Sequence, residues 1–155
     1  EKGWKIGGGL LAAAAGWTSW DLLQPLKPAG ATGKLKLGSP SKFEPGTATF
    51  VNAGRLWVTN ADGHLFAISQ KCPHLGCTVP WRPDFEFGGT KGWYRCPCHG
   101  STYTKGAAIL VYGPAPRPMD TMAVEVLANG DVVVDTGAIT KGGADNAKRA
   151  VSYGK

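Results

Sequence analysis

Short runs in which apolar and polar residues alternate fill the middle of the chain: "TATFVNA" (47–53), "GRLWVTN" (54–60), "HLFAISQ" (64–70), "GAAILVYG" (106–113), "MAVEVLA" (122–128) and "DVVVDTG" (131–137). A period of two sends alternate side chains to opposite faces, so each run predicts a half-buried strand. Val, Thr, Phe and Trp dominate, as pleated surfaces favour. Asn129-Gly130 lies between the last two runs, a strong hairpin signal because both residue types tolerate positive φ. The spacing of these strands predicts an all-β head, an antiparallel sandwich or barrel over residues 37–136.

The flanks follow other patterns. From Trp4 to Leu23, "WKIGGGLLAAAAGWTSWDLL" is mostly apolar. As a helix at about 1.5 Å per residue it would span roughly the 30 Å of a bilayer core. A signal-peptide core and a buried cytosolic helix fit this length too, but Trp4, Trp17 and Trp20 bracket it like interfacial aromatics, which favours an N-terminal transmembrane helix over residues 1–23. Lys2 and Lys5 would then keep its start in the cytoplasm and place the head on the outer side, periplasmic or lumenal, where disulfides persist. Residues 24–36, "QPLKPAGATGKLK", carry prolines and glycines that prevent a continuing helix and predict a flexible tether. Residues 137–155 read as a polar tail or a partner-contacting extension.

Composition supports this division. With 43% apolar residues, 23 Gly and 11 Pro, the chain suits short elements joined by many turns. The formal charge of +6 is spread from Lys2 to Lys155 without a basic run, which argues against nucleic-acid binding.

The four cysteines fall in two boxes, "KCPHLGCTVPW" (71–81) and "RCPCHGSTY" (95–103), each with one histidine. Six potential ligands exceed the four of a tetrahedral zinc site. One arrangement uses all six: Cys72, His74, Cys96 and His99 as ligands, with Cys77 and Cys98 left to pair. A structural zinc site that takes four of the six is the alternative. His64, beside the turn "NADG", reads as an ordinary strand residue.

"CPHLGC" and "CPCHGS" together resemble the two boxes of Rieske [2Fe-2S] proteins. The resemblance implies one [2Fe-2S] cluster per chain, with Cys72 and Cys96 on one iron and His74 and His99 on the other. It also implies a Cys77–Cys98 disulfide. Such clusters have potentials of about −150 to +300 mV. The stretch between the boxes is longer than in compact members, and the excess falls in "RPDFEFGGTKG" (82–92).

Three features resemble the branch found in quinol-oxidising complexes of the cytochrome bc and bf class. They are the second cysteine pair, the hydroxyls of Ser101 and Tyr103 after the second box, and the proline-rich "YGPAPRPMD" (112–120). In that branch the hydroxyls bond cluster and cysteine sulfur and raise the potential, while the proline loop, here with Gly113, Pro114 and Pro116, covers the cluster. The implied function is that of the Rieske subunit of a quinol–cytochrome c or plastocyanin oxidoreductase, an enzyme complex. His99, with His74 beside it, would take a proton from quinol bound in a cytochrome b subunit, and Leu75 would be an apolar docking tip. The electron would pass to a c-type cytochrome within a multisubunit, dimeric membrane complex. The alternatives are the Rieske subunit of an arsenite-oxidase-like molybdenum enzyme and a soluble Rieske electron carrier.

Overall fold

The computed structural model describes residues 2–24 and 33–153. The head is all-β, as expected, and consists of two antiparallel sheets. The larger holds β1 (Lys34–Gly38), β2 (Ala48–Val51), β3 (Leu56–Ala61), β4 (His64–Ser69), β9 (Thr121–Val126), β10 (Val132–Thr140) and β11 (Val151–Ser152). Its order is β1-β10-β9-β4-β3-β2, with β11 paired to β4. The smaller holds β5 (Trp81–Phe87), β6 (Thr90–Arg95), β7 (Thr102–Tyr103) and β8 (Leu110–Tyr112), in sequence order.

Local sequence explains the tightest connection. β3 and β4 are joined by Asp62-Gly63, both at positive φ (53° and 79°), with Ala61 opposite His64. Two positive-φ residues match the twist of the strands they link. The Asn129-Gly130 hairpin also forms, but as a wider turn in which Gly130 alone of the pair has positive φ. Val126 pairs with Val132, Leu127 exchanges backbone bonds with Gly130 and Asp131, and the Asn129 side chain accepts from the Asp131 N–H. That side-chain bond replaces the second left-handed residue.

Two apolar clusters make the core. One lies within the large sheet around Leu56, Val58, Leu65, Val132 and Val134. The other joins Phe66 and Ile68 of β4 to Cys72, Val79, Tyr94, Cys96, Tyr103 and Met119, and so seats the small sheet on the large one. Tyr94 reaches across to share a hydrogen bond with Thr59 of β3, and burial pushes its phenol well above the ordinary range.

Three sequence expectations change. The excess length between the boxes, "RPDFEFGGTKG", is ordered as most of the β5–β6 hairpin, turned by Gly88-Gly89 at φ 59° and 78°. The polar tail expected over 137–155 is built into the fold through Ser152. β10 runs on to Thr140, residues 144–149 form a 3-10 turn with Asn146 fully buried, and β11 pairs with β4. Polar side chains that bond buried carbonyls look like surface in sequence, which is why the stretch reads as a tail. Of the tether, residues 25–32 lie outside the described residues, and Lys34 to Lys36 already belong to β1.

The N-terminal stretch does form a helix, α1 (Lys2–Leu23), with no buried residue. Among the described residues, however, no helix is long and apolar enough to cross a membrane. The glycines at 3, 7, 8, 9 and 16, with Lys2, Lys5, Thr18, Ser19 and Asp21, dilute its hydropathy.

Candidate metal centre

Both boxes are folded by the same backbone device. In the first, the Cys72 N–H donates to the Cys77 carbonyl (2.8 Å) and the Gly76 N–H returns to the Cys72 carbonyl (2.9 Å). In the second, the Cys96 N–H donates to Ser101 O (2.8 Å) and Gly100 N–H to Cys96 O (3.0 Å). Gly76 and Gly100 have φ of 78° and 76°, the left-handed region that glycine enters without penalty. These two glycines escaped the sequence reading, although their equal offset from Cys72 and Cys96 was a usable signal.

The loops leave the sheets at fixed places. A Lys71–Thr78 bridge and the Val79 N–H to Gln70 O bond (2.8 Å) close the first. The Trp57 indole of β3 donates to Val79 O at 3.0 Å, which ties that loop to the large sheet. The second loop joins β6 to β7, where Arg95 pairs with Thr102. Arg95 lies over the Phe85 ring, 4.2 Å from its centroid, so β5 braces the loop entrance.

Cys77 and Cys98 are joined in a disulfide, Cα to Cα 6.7 Å, which staples loop to loop. The sulfurs of Cys77, Cys98 and Cys96 lie within 4.8 Å of one another. Two of the three are spent on the bridge, so that trio cannot ligate a metal as thiolates. Cys72 and Cys96 remain as free thiols, both buried. Burial pushes the Cys96 thiol up, against the opposing pull of the Cys98 and His99 backbone N–H groups. The imidazoles of His74 and His99 meet edge to face, centroids 4.9 Å apart. His99 is exposed and His74 half-buried.

The other predicted residues gather round these four. The Tyr103 hydroxyl lies 3.2 Å from Cys72 Sγ, and burial holds its phenol protonated far above neutral pH. Ser101 is fully buried, and its Oγ accepts from the Ala115 N–H at 3.2 Å. Ala115 belongs to the proline loop between β8 and β9, whose Pro114 and Pro116 are exposed. Gly113 (φ 104°) is required by close approach, because a Cβ there would sit 2.5 Å from the Ser101 Cα. Leu75, 71% exposed, projects from the first loop beside His74.

The donor set therefore suits a small iron–sulfur cluster: two buried thiols, two imidazoles toward solvent, and a hydroxyl on one of the thiol sulfurs. An all-β head with such paired loops defines the class of cluster-carrying electron-transfer proteins. Residues 31–128 match the Rieske [2Fe-2S] domain. The cytochrome b6-f complex iron-sulfur subunit of Chlorobaculum tepidum is 32% identical over 136 residues, covering 84% of this chain and 71% of its own. Subunit 3 of the same type from a Nostoc species is 44% identical over 61 residues, 39% of this chain and 30% of that one. A chain in the complex of reduced oxygenase and oxidized ferredoxin in carbazole 1,9a-dioxygenase shares the fold, with TM-score 0.51 at 23% identity. That match covers 70% of this chain and 97% of that one. The chain belongs to the Rieske [2Fe-2S] family, and its cofactor is a [2Fe-2S] cluster.

Proposed function

We propose that the chain is the Rieske iron–sulfur subunit of a membrane quinol oxidoreductase of the cytochrome bc/bf class. Cys72, Cys96, His74 and His99 are its cluster ligands. The observation that carries this is the union of four features in one site: the buried Cys72/Cys96 pair, the rim histidines, the Cys77–Cys98 staple, and the Ser101–proline-loop contact. The names of the curated relatives, subunits of cytochrome b6-f complexes, support it over an arsenite-oxidase-like or soluble carrier.

The bound cluster supplies one-electron redox chemistry at a high potential for an iron–sulfur centre. The protein's part is to bind, shield and present. Buried thiols and the Tyr103 hydroxyl keep water from the cysteine side. His99, exposed at the rim, presents a ring nitrogen that accepts a proton from a quinol hydroxyl, and His74 flanks it. Leu75 gives the rim an apolar tip that docks against a cytochrome b-type subunit. A c-type cytochrome or plastocyanin is the acceptor.

Membrane attachment through α1 belongs to the same proposal. Trp4, Leu10, Leu11, Trp17, Leu22 and Leu23 are 68–85% exposed, an apolar surface that an aqueous phase penalises. Purification of the chain from its native membrane in mild detergent tests the assignment. A co-purifying b-type cytochrome is the expected result, and a molybdenum subunit in its place would overturn it.

A further inference from the structure

The segment between β10 and β11 lies beyond the residues matched to the family, and nothing in the ligand set accounts for its burial. Asn146 is 0% exposed, and its side-chain nitrogen donates to two carbonyls, Ala107 O at 2.8 Å and Met119 O at 2.9 Å. Its side-chain oxygen accepts from the Gly143 N–H at 3.0 Å, so the amide group is used at both ends. Ala107 and Met119 are the two feet of the excursion that carries the proline loop. Met119 N–H donates to Ala108 O at 3.3 Å, which closes those feet on each other.

Two further observations show that the feet are held under constraint. Ala108, fully buried between them, has φ 49°, a left-handed conformation that a non-glycine residue keeps only where its surroundings impose it. Gly142 is pressed against the loop's exit: a Cβ there would lie 2.2 Å from Pro118 O and 2.4 Å from Met119 O. Its N–H donates to Asp120 Oδ1 at 2.8 Å, and Asp120 also pairs with Arg117 of the loop itself. At the tip of the same excursion the Ala115 N–H donates to Ser101 Oγ, and Gly113 lies against the Ser101 backbone. A contiguous path thus leads from Asn146 through the loop to the second cluster-binding box.

We propose that residues 141–149 act as a clamp that positions the proline loop over the cluster, with Asn146 as its positioning residue. The inference rests on the ligand assignment given above. By accepting from Ala115, Ser101 Oγ keeps its own hydroxyl proton free to be donated toward sulfur. Loosening the clamp frees the loop, releases Ser101, and weakens that donation.

The test uses the full chain with its cluster and compares wild type with Asn146→Ala and Gly142→Ala. The second removes no side-chain hydrogen bond and displaces the loop's exit sterically. Amide exchange at Ala115 is expected to rise at least tenfold in both, with exchange in β3 and β10 unchanged. The midpoint potential is expected to fall and the electron-paramagnetic-resonance line to broaden. If Asn146→Ala does not fold, Gly142→Ala decides by the same readouts. Wild-type exchange at Ala115 together with an unshifted potential would overturn the clamp. A wild-type chain without a Rieske resonance signal would instead refute the ligand assignment, and the exchange measurement would still judge the clamp.

Discussion

The two cluster loops share a skeleton and differ in what they carry. Each begins Cys-Pro, returns a glycine N–H to the cysteine carbonyl, and closes through the cysteine N–H. Superposing the offsets sets His74 against Cys98, Leu75 against His99, and Cys77 against Ser101. The first loop thus ends in half of a disulfide and turns an apolar tip outward. The second ends in a buried hydroxyl held by the proline loop and turns an imidazole outward. The backbone device fixes where a side chain points, and residue type at each offset decides whether the position offers a thiol, an imidazole, half of a disulfide or a buried hydroxyl.

The largest expected effect separates neighbouring thiols. Cys96→Ser removes a ligand sulfur and is expected to abolish the cluster's visible absorbance and resonance signal. Cys98→Ser leaves the ligands but opens the staple. Closing a loop with a sequence separation of 21 stabilises by about 3 kcal/mol on the chain-entropy account. That variant is expected to assemble a cluster that is lost on mild heating. Equal resonance signals and melting points in the two variants would show that the second loop does not divide its cysteines this way.

Next in size is the hydroxyl each loop receives. Tyr103→Phe strips the hydroxyl from Cys72 Sγ, and Ser101→Ala strips the hydroxyl that accepts from the Ala115 N–H and, by the proposal above, donates toward sulfur beneath the second loop. A hydrogen bond to a charged acceptor contributes about 1.5 to 3 kcal/mol. For a one-electron couple that is on the order of 60 to 130 mV. The reduced cluster carries the extra negative charge, so losing either donor lowers the midpoint potential.

Smaller again is the cost of the shared skeleton. Gly76→Ala and Gly100→Ala each force a Cβ into a left-handed residue, at about 1 to 2 kcal/mol. Neither meets a tight steric contact: Gly76 has nothing within 4 Å, and Gly100 meets only the Arg95 Nη2 at 3.6 Å. The two variants are expected to lose nearly the same stability in urea melts. A large inequality would break the equivalence of the loops.

These comparisons also show where sequence is informative. The boxes were legible because their meaning is local: cysteine and histidine at set offsets specify the donors, while the equal offset of Gly76 and Gly100 carried the signal of the shared turn and went unread. Ser101, Tyr103 and the proline loop were legible by resemblance, although the contact of Gly113 with Ser101 is tertiary and left no local trace. The β5–β6 hairpin was legible in principle from Gly88-Gly89. Pro83 and the register shift between Arg82 and Glu86 blurred its alternation. Asn146 was not legible, because an asparagine among Gly, Asp and Lys signals a turn whether its amide meets water or two buried carbonyls. The N-terminal stretch was legible as a helix from its length and bracketing tryptophans, and the glycines of α1 lower its hydropathy below that of a long apolar span.

The smallest effect asks whether the second loop's backing has a pH dependence that the first lacks. The Arg149 hydrogen bond and charge beside Asp145 hold its carboxyl below the ordinary value of 3.8. A depressed carboxyl stabilises the fold fully above its unfolded value, and that contribution disappears as pH falls through the lower folded value. Arg149 is also held by the Thr121 hydroxyl at 2.9 Å and Lys141 O at 3.1 Å, so loss of Asp145 weakens the clamp without opening it. The pair is solvent-exposed on the aspartate side and therefore screened by salt. Asp145→Asn is expected to melt slightly below wild type at pH 7, with the gap closing below pH 3.8 and shrinking in high salt. Asp131, held down in the same way by Lys36 at the opposite hairpin, is the control. Asp131→Asn should show the same acid convergence with no change in Ala115 exchange, whereas Asp145→Asn should raise that exchange at neutral pH. Equal exchange in the two variants would mean that the Asp145–Arg149 pair stabilises the head without bearing on the second loop.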